Sequence, residues 1–168
     1  MTRFQVLAVA AALAASAGAA QAAVERVPFQ GGAERGSIVI RTAERRLYLP
    51  LGDGTALRYP VAVGKMGKQW HGAARIDGKY VEPAWSPPAE VKRDNPRMPN
   101  VIPPGPRNPM GARALTLAGG EYAIHGTTRG MRASIGTAAS YGCIRMYNED
   151  VIDLFDRVAV GAQVYVTP

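Results

Sequence analysis

The sequence predicts a mainly β domain with one helix near its C-terminus, and three observations indicate this class. Most apolar runs are short, rich in β-branched or aromatic residues and bounded by glycine, proline or aspartate, which is typical of strands. Only residues 148–158 have apolar positions at the i, i+3, i+4, i+7 spacing of an amphipathic helix. Nine of the thirteen prolines fall between residues 83 and 109, and this density predicts a long proline-rich loop instead of a helix or central strand.

A secretory signal peptide is predicted over residues 1–22. Arg3 precedes an apolar run, and Ala20-Gln21-Ala22 is a small-x-small cleavage sequence. This run is too short to span a bilayer comfortably, and no other stretch approaches the about 18 apolar residues of a membrane helix. We therefore expect export to the periplasm or cell envelope without a transmembrane anchor. Residues 23–36 lack periodicity, which predicts a flexible lead-in. Residues 37–168 then have the length of one domain, expected to be a monomer.

The charge balance favours an anionic environment. The formal net charge is +7, and it becomes +6 once the signal peptide with its single basic residue, Arg3, is removed. In an exported protein, acidic lipid or an anionic wall polymer is a better match for this charge than nucleic acid, so no nucleic-acid partner is expected. The same charge is also explained by solubility alone.

Short strands account for the first half of the domain. Proline cannot donate to a ladder, so Pro50 and Pro60 are expected at strand ends. A turn is predicted at Asp77-Gly78. The predicted strands are 37–41, 46–50, 57–63 and 73–80.

The proline-rich stretch, residues 83–109, is predicted to be packed on the domain. Trp85 and Val101-Ile102 are apolar anchors that a disordered linker seldom carries, and long irregular segments in compact domains are usually functional lids or disordered. Its basic residues either attract acidic groups or form an ordinary solvated face. They are Lys92, Arg93, Arg97 and Arg107.

The second half of the domain is predicted to place His125 at a strand end. Two strands, 114–117 and 122–125, are joined through Gly119-Gly120. A brief strand is expected at 143–146, followed by the helix with Asn148 as its N-cap, and then by a last strand at 163–167.

The only cysteine, Cys143, follows His125 by 18 residues. An unpaired cysteine in an exported protein is a candidate reactive thiol, and a histidine brought near it by the fold is the usual base for such a nucleophile. The pair would work by proton transfer to His125 or as an ion pair. The alternative is a buried, inert thiol, because free cysteine is among the most buried residue types.

Arg145 is expected on the same face as Cys143, because residues two apart in an extended chain point the same way. A cation there would lower the pKa of the thiol and could bind a substrate carboxylate. The alternative is a surface arginine that pairs with Asp150 or Glu149.

The chain resembles the L,D-transpeptidase catalytic domain, or YkuD, family over residues 37–166. This resemblance implies a β-sandwich fold, a substrate among peptidoglycan stem peptides, and His125 and Cys143 as the catalytic pair. One position departs from the family pattern, because Tyr141 stands where most members have histidine. The motifs that carry the resemblance are Ile124-His125-Gly126-Thr127, Ile135-Gly136, Ser140-Tyr141-Gly142-Cys143-Ile144-Arg145-Met146 with Asn148 and Asp150, Val63-Gly64-Lys65, Trp85-Ser86-Pro87-Pro88 and Asn108-Pro109-Met110-Gly111.

In such an enzyme, the Cys143 thiolate attacks the carbonyl of the third stem residue, releases D-alanine, and passes the acyl group to an amine of another stem peptide or an envelope protein. Water as acceptor would make it an L,D-carboxypeptidase, and a non-catalytic wall-binding module is the other alternative. No cofactor is expected, and two histidines and one cysteine scattered along the chain do not supply the ligands of a metal site.

Five further residues are predicted to complete the site. Gly142 would let its own N–H and that of Cys143 converge on the oxyanion. Because Gly126 has no side chain, a backbone carbonyl or Thr127 is expected to orient the imidazole. Ser140 either forms the turn or contacts substrate, and Tyr141 is expected to shape the acyl site.

Overall fold

The computed structural model describes residues 24–120 and 122–168, so the predicted signal peptide lies outside the described residues. Eleven strands, two α-helices and one 3-10 helix occur there. In chain order they are β1 (Glu25–Pro28), β2 (Ile38–Arg41), β3 (Arg46–Pro50), β4 (Thr55–Pro60), β5 (Val63–Gly64), β6 (Gly72–Val81), α1 (Ala89–Asp94), β7 (Arg113–Leu117), β8 (Ala123–His125), the 3-10 helix (Arg129–Ser134), β9 (Ala138–Ser140), β10 (Ile144–Arg145), α2 (Asn148–Arg157) and β11 (Gln163–Thr167).

The mainly β class is confirmed by a large sheet with the strand order β1-β4-β3-β2-β11-β6-β7-β8-β10. β5 and β9 form a separate parallel pair. The ten-residue strand β6 joins the two ends of the large sheet, because its first part pairs with β11 and its second part with β7. Pro50 and Pro60 end β3 and β4, as predicted.

One core cluster draws side chains from both ends of this sheet and from α2. It includes Ile38, Leu115, Ile124, Ile144 and Leu154, each at most 1% exposed. In a strand, successive side chains point to opposite faces. Since Ile124 and Ile144 face the core, their neighbours on β8 and β10 face the other way, and this other face carries the candidate site.

The expected flexible lead-in is wrong for residues 25–28, which form β1 and pair antiparallel with β4. The physical reason is apolar contact on the outer face of the sheet. Val27, Phe29 and Ala33 pack against a small buried cluster. That cluster consists of Val39, Tyr48 and Ala56.

The proline-rich segment is packed on the domain, but it is not wholly irregular. The proline-free stretch between Pro88 and Pro96 forms α1, which corrects the expectation of a loop throughout. Trp85 and Ile102 exchange both backbone hydrogen bonds, at 2.9 and 2.8 Å. The Asn108 side chain donates to the carbonyls of Pro83, Ile102 and Pro103.

Asp77-Gly78 is not a turn. Both residues lie within β6, where the pairing with β7 is irregular between Ile76 and Gly78. A side chain at Gly78 would meet the ring of Tyr80 and the hydroxyl of Thr116 at 2.6–2.8 Å, so these two side chains would have to move to admit it. The glycine therefore marks a bulge in a continuous strand.

The predicted helix is confirmed as α2, which begins at Asn148 and buries Val151 and Leu154 against the core. Its N-cap is Tyr147, so the expectation that Asn148 caps the helix is wrong. No helix within the described residues is long and apolar enough to cross a membrane.

Candidate active site

His125 ends β8 and is 4% exposed. Its Nδ1 lies 2.8 Å from the carbonyl oxygen of Gly126. A carbonyl only accepts, so Nδ1 carries the proton and Nε2 keeps a free lone pair. The prediction that a backbone carbonyl orients this ring is confirmed, and the ring is set up to accept a proton at Nε2.

Cys143 lies beside β8, the strand that ends in His125. β10 runs parallel to β8, with Ile144 opposite Ile124 and Arg145 opposite His125. By this register Cys143 lies next to Ala123. The neighbours of the two isoleucines point away from the core and share one face. They are Ala123, His125, Cys143 and Arg145. Cys143 and His125 are therefore diagonal neighbours on adjacent strands, about 8 Å apart at Cα by strand geometry.

The surroundings of this pair keep both groups neutral. Burial, followed by the charge of Arg145, lowers the pKa of His125 to about 4, although the carbonyls of Gly126 and Pro109 act in the opposite sense. Burial also raises the pKa of the Cys143 thiol, and a backbone contact from Ala123 and the charge of Arg145 offset this only in part. A preformed ion pair needs the reverse shifts, so these pKa shifts favour two neutral groups over a thiolate–imidazolium pair.

The proline-rich segment and Cys143 share an apolar cluster. Met110 forms a small apolar cluster with Ala114 and Ala123, and Trp85 and Cys143 pack against it. Cys143 itself is partly exposed, which argues against the inert, fully buried thiol. The candidate nucleophile thus lies on a sheet face beside two alanines, and Trp85 of this segment packs against the same cluster.

Ser140 holds the turn that carries the nucleophile. Its hydroxyl donates to the Cys143 carbonyl at 2.5 Å and accepts the N–H of Gly142 at 3.1 Å. The interpretation of Ser140 as a turn former therefore holds. The expectation that the Gly142 N–H is free for an oxyanion is wrong, because this donor is already used inside the turn.

The carbonyl of Gly142 is bound by Trp70, a residue that the sequence did not predict to be part of the site. Trp70 Nε1 donates to it at 3.1 Å, and the indole stacks on Tyr122 with ring centroids 5.2 Å apart. Gly142 has φ +119°, and a Cβ there would overlap the Tyr122 ring. Only glycine fits this position. Tyr122 lies just before β8, but nothing near Trp70 in sequence signals this contact.

Asn148 does not cap α2. Its side-chain amide instead binds the loop that follows His125. Its Oδ1 accepts the N–H groups of Ala112 and Thr127 at 3.1 and 2.9 Å, and its Nδ2 donates to the Thr127 carbonyl at 2.9 Å. A side chain at Gly126 would overlap this amide. The Thr127 hydroxyl is buried without a partner in the described residues, so Thr127 does not orient the imidazole.

Arg145 is close enough to influence both candidate catalytic groups. Its Nη1 donates to Ser134 Oγ at 2.6 Å, and its Nε is buried without a partner among the described residues. Glu149 instead receives two hydrogen bonds from Arg132, at 3.1 and 2.8 Å. The ion pairs found in the described part of the chain do not include one from Arg145, in contrast to the alternative of a surface pair.

Tyr141 connects the nucleophile turn to α1. Its hydroxyl donates to Asp94 Oδ2 at 2.6 Å, and this hydrogen bond is the main reason why the pKa of Asp94 is lowered. Lys65 Nζ lies 3.8 Å from the centre of the Tyr141 ring and 3.9 Å from Asp94. Lys68 pairs with Glu90 on the same helix. The residue that departs from the family pattern thus joins the catalytic turn to the proline-rich segment.

Comparison with known proteins identifies the family. The L,D-transpeptidase catalytic domain family, YkuD, matches residues 35–166, and the chain belongs to this family. It is 40% identical over 136 residues to the probable L,D-transpeptidase YbiS of Escherichia coli K12, covering 76% of this chain and 43% of YbiS. The chain therefore spans less than half the length of that curated relative.

Solved structures share the fold. An L,D-transpeptidase from Mycobacterium smegmatis superposes with a TM-score of 0.62 at 16% identity, covering 78% of this chain and 58% of the other. A Brucella melitensis protein described as a probable carnitine operon oxidoreductase is 42% identical, with a TM-score of 0.55 and coverage of 85% and 92%. Its description differs from the names of the curated relatives and applies to that protein.

Proposed function

We propose that this protein is a peptidoglycan L,D-transpeptidase, with Cys143 as the nucleophile and His125 as the general base. The observation that carries this proposal is the register of β8 and β10, which sets both residues on one covered face. The family membership and the names of the curated relatives support the same reaction class.

In the first half of the reaction, Cys143 Sγ attacks the carbonyl carbon of the third stem residue while its proton moves to His125 Nε2. The resulting tetrahedral intermediate collapses, the bond to the terminal D-alanine breaks, and the imidazolium returns the proton to the leaving amine. A thioester on Cys143 remains. Because both groups start neutral, no charge separation has to be held in the buried resting site.

In the second half, an acceptor amine attacks the thioester carbonyl. Neutral His125 takes the proton of the amine and returns it to the departing thiol, which restores the starting state. The acceptor is an amine of another stem peptide or of an envelope protein, and water in its place would give hydrolysis.

The oxyanion of each tetrahedral intermediate needs a donor. The N–H of Cys143 has no hydrogen-bond partner among the described residues, whereas that of Gly142 is bound to Ser140 Oγ. We assign the Cys143 N–H to this role, and loss of one such donor costs about 3–4 kcal/mol in well-studied enzymes. Arg145 adds a positive field on the same face.

The proline-rich segment favours transfer over hydrolysis. Trp85 and Met110 lie against the thiol side of the sheet, where they would limit the access of water to a thioester. Arg93, Arg97 and Arg107 are exposed on the same segment, where they could attract the acidic groups of a wall polymer. Export through residues 1–22 would bring the domain to this substrate in the cell envelope.

The test is incubation of residues 23–168 with muropeptides that carry tetrapeptide stems, followed by mass spectrometry. We expect D-alanine release and cross-linked or amine-linked products from the wild type, and none from Cys143→Ala. Tripeptide alone at millimolar amine would reassign the protein as an L,D-carboxypeptidase. Binding without any D-alanine release would instead identify a wall-binding module.

A further inference from the structure

We propose that Trp70 is a positioning residue that orients the Gly142–Cys143 peptide, so that the Cys143 N–H faces the oxyanion. This inference rests on the acyl-transfer chemistry proposed above and assigns a role to a residue 73 positions before the nucleophile in the sequence. Trp70 itself contacts neither the thiol nor the imidazole in the described contacts.

The first step is the hydrogen bond from Trp70 Nε1 to the Gly142 carbonyl at 3.1 Å. A trans peptide is planar, so the N–H of Cys143 must point opposite to that carbonyl. No cis peptide bond occurs among the described residues. By holding the carbonyl, Trp70 therefore also fixes the direction of the Cys143 N–H, away from the indole.

The second step is that no other hydrogen bond among the described contacts holds the Gly142 carbonyl, although Ser140 Oγ binds the Gly142 N–H and the Cys143 carbonyl on either side of it. Gly142 has φ +119°, a region that glycine enters without penalty, and glycine also has the widest choice of alternative conformations. Ser140 Oγ holds the Cys143 carbonyl on one side, but it does not contact the Gly142 carbonyl. The indole N–H provides the missing restraint.

The third step concerns the stack beneath the peptide. Trp70 and Tyr122 are parallel within 5°, and the Tyr122 ring lies directly against Gly142. Tyr122 directly precedes β8, the strand that ends in His125. The aromatic pair thus ties the peptide to the strand that carries the base, which keeps the oxyanion donor and the base in a fixed relation.

The experiment compares two reactions of Cys143, the only cysteine in the chain. Acylation by p-nitrophenyl acetate passes through an oxyanion, whereas alkylation by iodoacetamide does not. Both rates are measured for the wild type, for Trp70→Phe and for Tyr122→Phe, with Cys143→Ala as the background. Tyr122→Phe is the matched control, because it removes a polar atom from the same stack and leaves the Gly142 carbonyl bond intact.

We expect Trp70→Phe to lower the acylation rate about tenfold while alkylation stays within about twofold at every pH, because only acylation needs the oxyanion donor. Tyr122→Phe should leave the ratio of the two rates unchanged. If Phe disturbs the stack, benzothienylalanine at position 70 keeps the bicyclic ring, lacks the N–H and should give the same loss.

An equal fall of both rates would show that Trp70 only supports the site as a whole, and unchanged rates would show that its hydrogen bond does not orient the peptide. Either result overturns the proposal. Because these reagents need no stem peptide, a wild type that is inert on muropeptides but shows the expected contrast would refute the transpeptidase and leave the role of Trp70 standing.

Discussion

The burial of His125 controls the pH range in which the site can work. Its lowered pKa, about 4, means that the imidazole is a neutral base at every pH above about 5. An exposed histidine would titrate near 6.5. We therefore expect kcat/KM for thioester formation to stay level from pH 8 to about 5 and to fall below that. Stopped-flow acylation over this range would check it, and an inflection near 6.5 would contradict it.

The same lowered pKa links His125 to stability. The pKa of His125 is lower in the folded state than in the unfolded state. Its contribution to the free energy of unfolding is therefore fully present above about pH 6.5 and is lost as the pH falls through about 4. Acid unfolding measured in parallel separates this loss of stability from the loss of catalysis.

Replacement of the base should be partly reversible by alkali. His125→Ala removes the proton acceptor, so we expect thioester formation to fall by about 10²–10⁴ at pH 7. Because the pKa of the Cys143 thiol is raised, the thiolate that forms without a base should increase about tenfold per pH unit from pH 7, and the rate should still be rising above pH 9. A single-turnover assay from pH 7 to 10.5 would measure this. A flat response would assign His125 another role.

Local sequence patterns predicted two candidate reacting residues but not the residues that hold them in place. His125 and Cys143 are candidates because their residue types and strand position suffice for that prediction, which stays a prediction. Asn148 fits a helix cap in sequence, yet its amide binds residues 21 and 36 positions away. Trp70 acts over 72 positions. Neither contact follows from periodicity or spacing, because only the assembled sheet brings these segments together.

At the scale of elements, Tyr141 and the helix α1 form a connection that can be weakened selectively. Tyr141→Phe removes the hydrogen bond to Asp94 and leaves the ring contact with Lys65 and the Lys68–Glu90 pair in place. Such exposed polar contacts contribute at most about 1 kcal/mol each. We expect an unchanged unfolding midpoint and faster amide exchange in Ala89–Asp94, measured by hydrogen–deuterium exchange.

A matched variant sharpens that measurement. Asp94→Leu has a similar size and no acceptor, so it should raise the same exchange rates, whereas Lys92→Met, which loses only a contact with Asn100, should not. Equal protection in Tyr141→Phe and the wild type would show that α1 is held without Tyr141. Tyr141→His should change turnover by less than about tenfold, or 1.4 kcal/mol, if His125 is the only base required.

The C-terminal end of α2 depends on a lysine from β6. Lys79 Nζ donates to the carbonyls of Phe155 and Val158 at 2.6 and 2.7 Å and lies 4.3 Å from the centre of the Phe155 ring. A cation at this end also interacts favourably with the helix dipole. We expect Lys79→Met to lower the free energy of unfolding by about 2 kcal/mol in urea. Lys92→Met is the control, and equal midpoints would contradict the role.

On the scale of the whole molecule, the sequence predicted the mainly β class, most strands, the helix α2 and the packed proline-rich segment. Strands with alternating or β-branched apolar residues were found because their pattern reflects local burial. β1 was missed because its stability comes from packing on the outer sheet face, and β9 because three small residues carry no pattern. α1 was missed because it is only six residues long and prolines stand on both sides of it, so the whole region resembled a loop.

One face of the strands β7, β8 and β10 packs against the core. The other face carries the candidate reacting residues and the apolar cluster against which Trp85 of the proline-rich segment packs. On the function proposed above, this segment is the part expected to influence the balance between transfer and hydrolysis. Trp85 and Ile102 exchange both backbone hydrogen bonds, so residues 86–101 can be replaced by Asn-Gly, a two-residue hairpin turn. The shortened protein keeps Trp85 against the site and loses α1.

We expect this replacement to raise the fraction of hydrolysed tripeptide at the expense of amine-linked product, because the thioester is then more open to water while Cys143 and His125 stay in place. Product ratios by mass spectrometry at several amine concentrations would measure it. Tyr141→Phe, which loosens α1 without removing it, should give an intermediate ratio. An unchanged ratio in the shortened protein, with D-alanine release intact, would mean that Met110 and the strands themselves exclude water from the thioester.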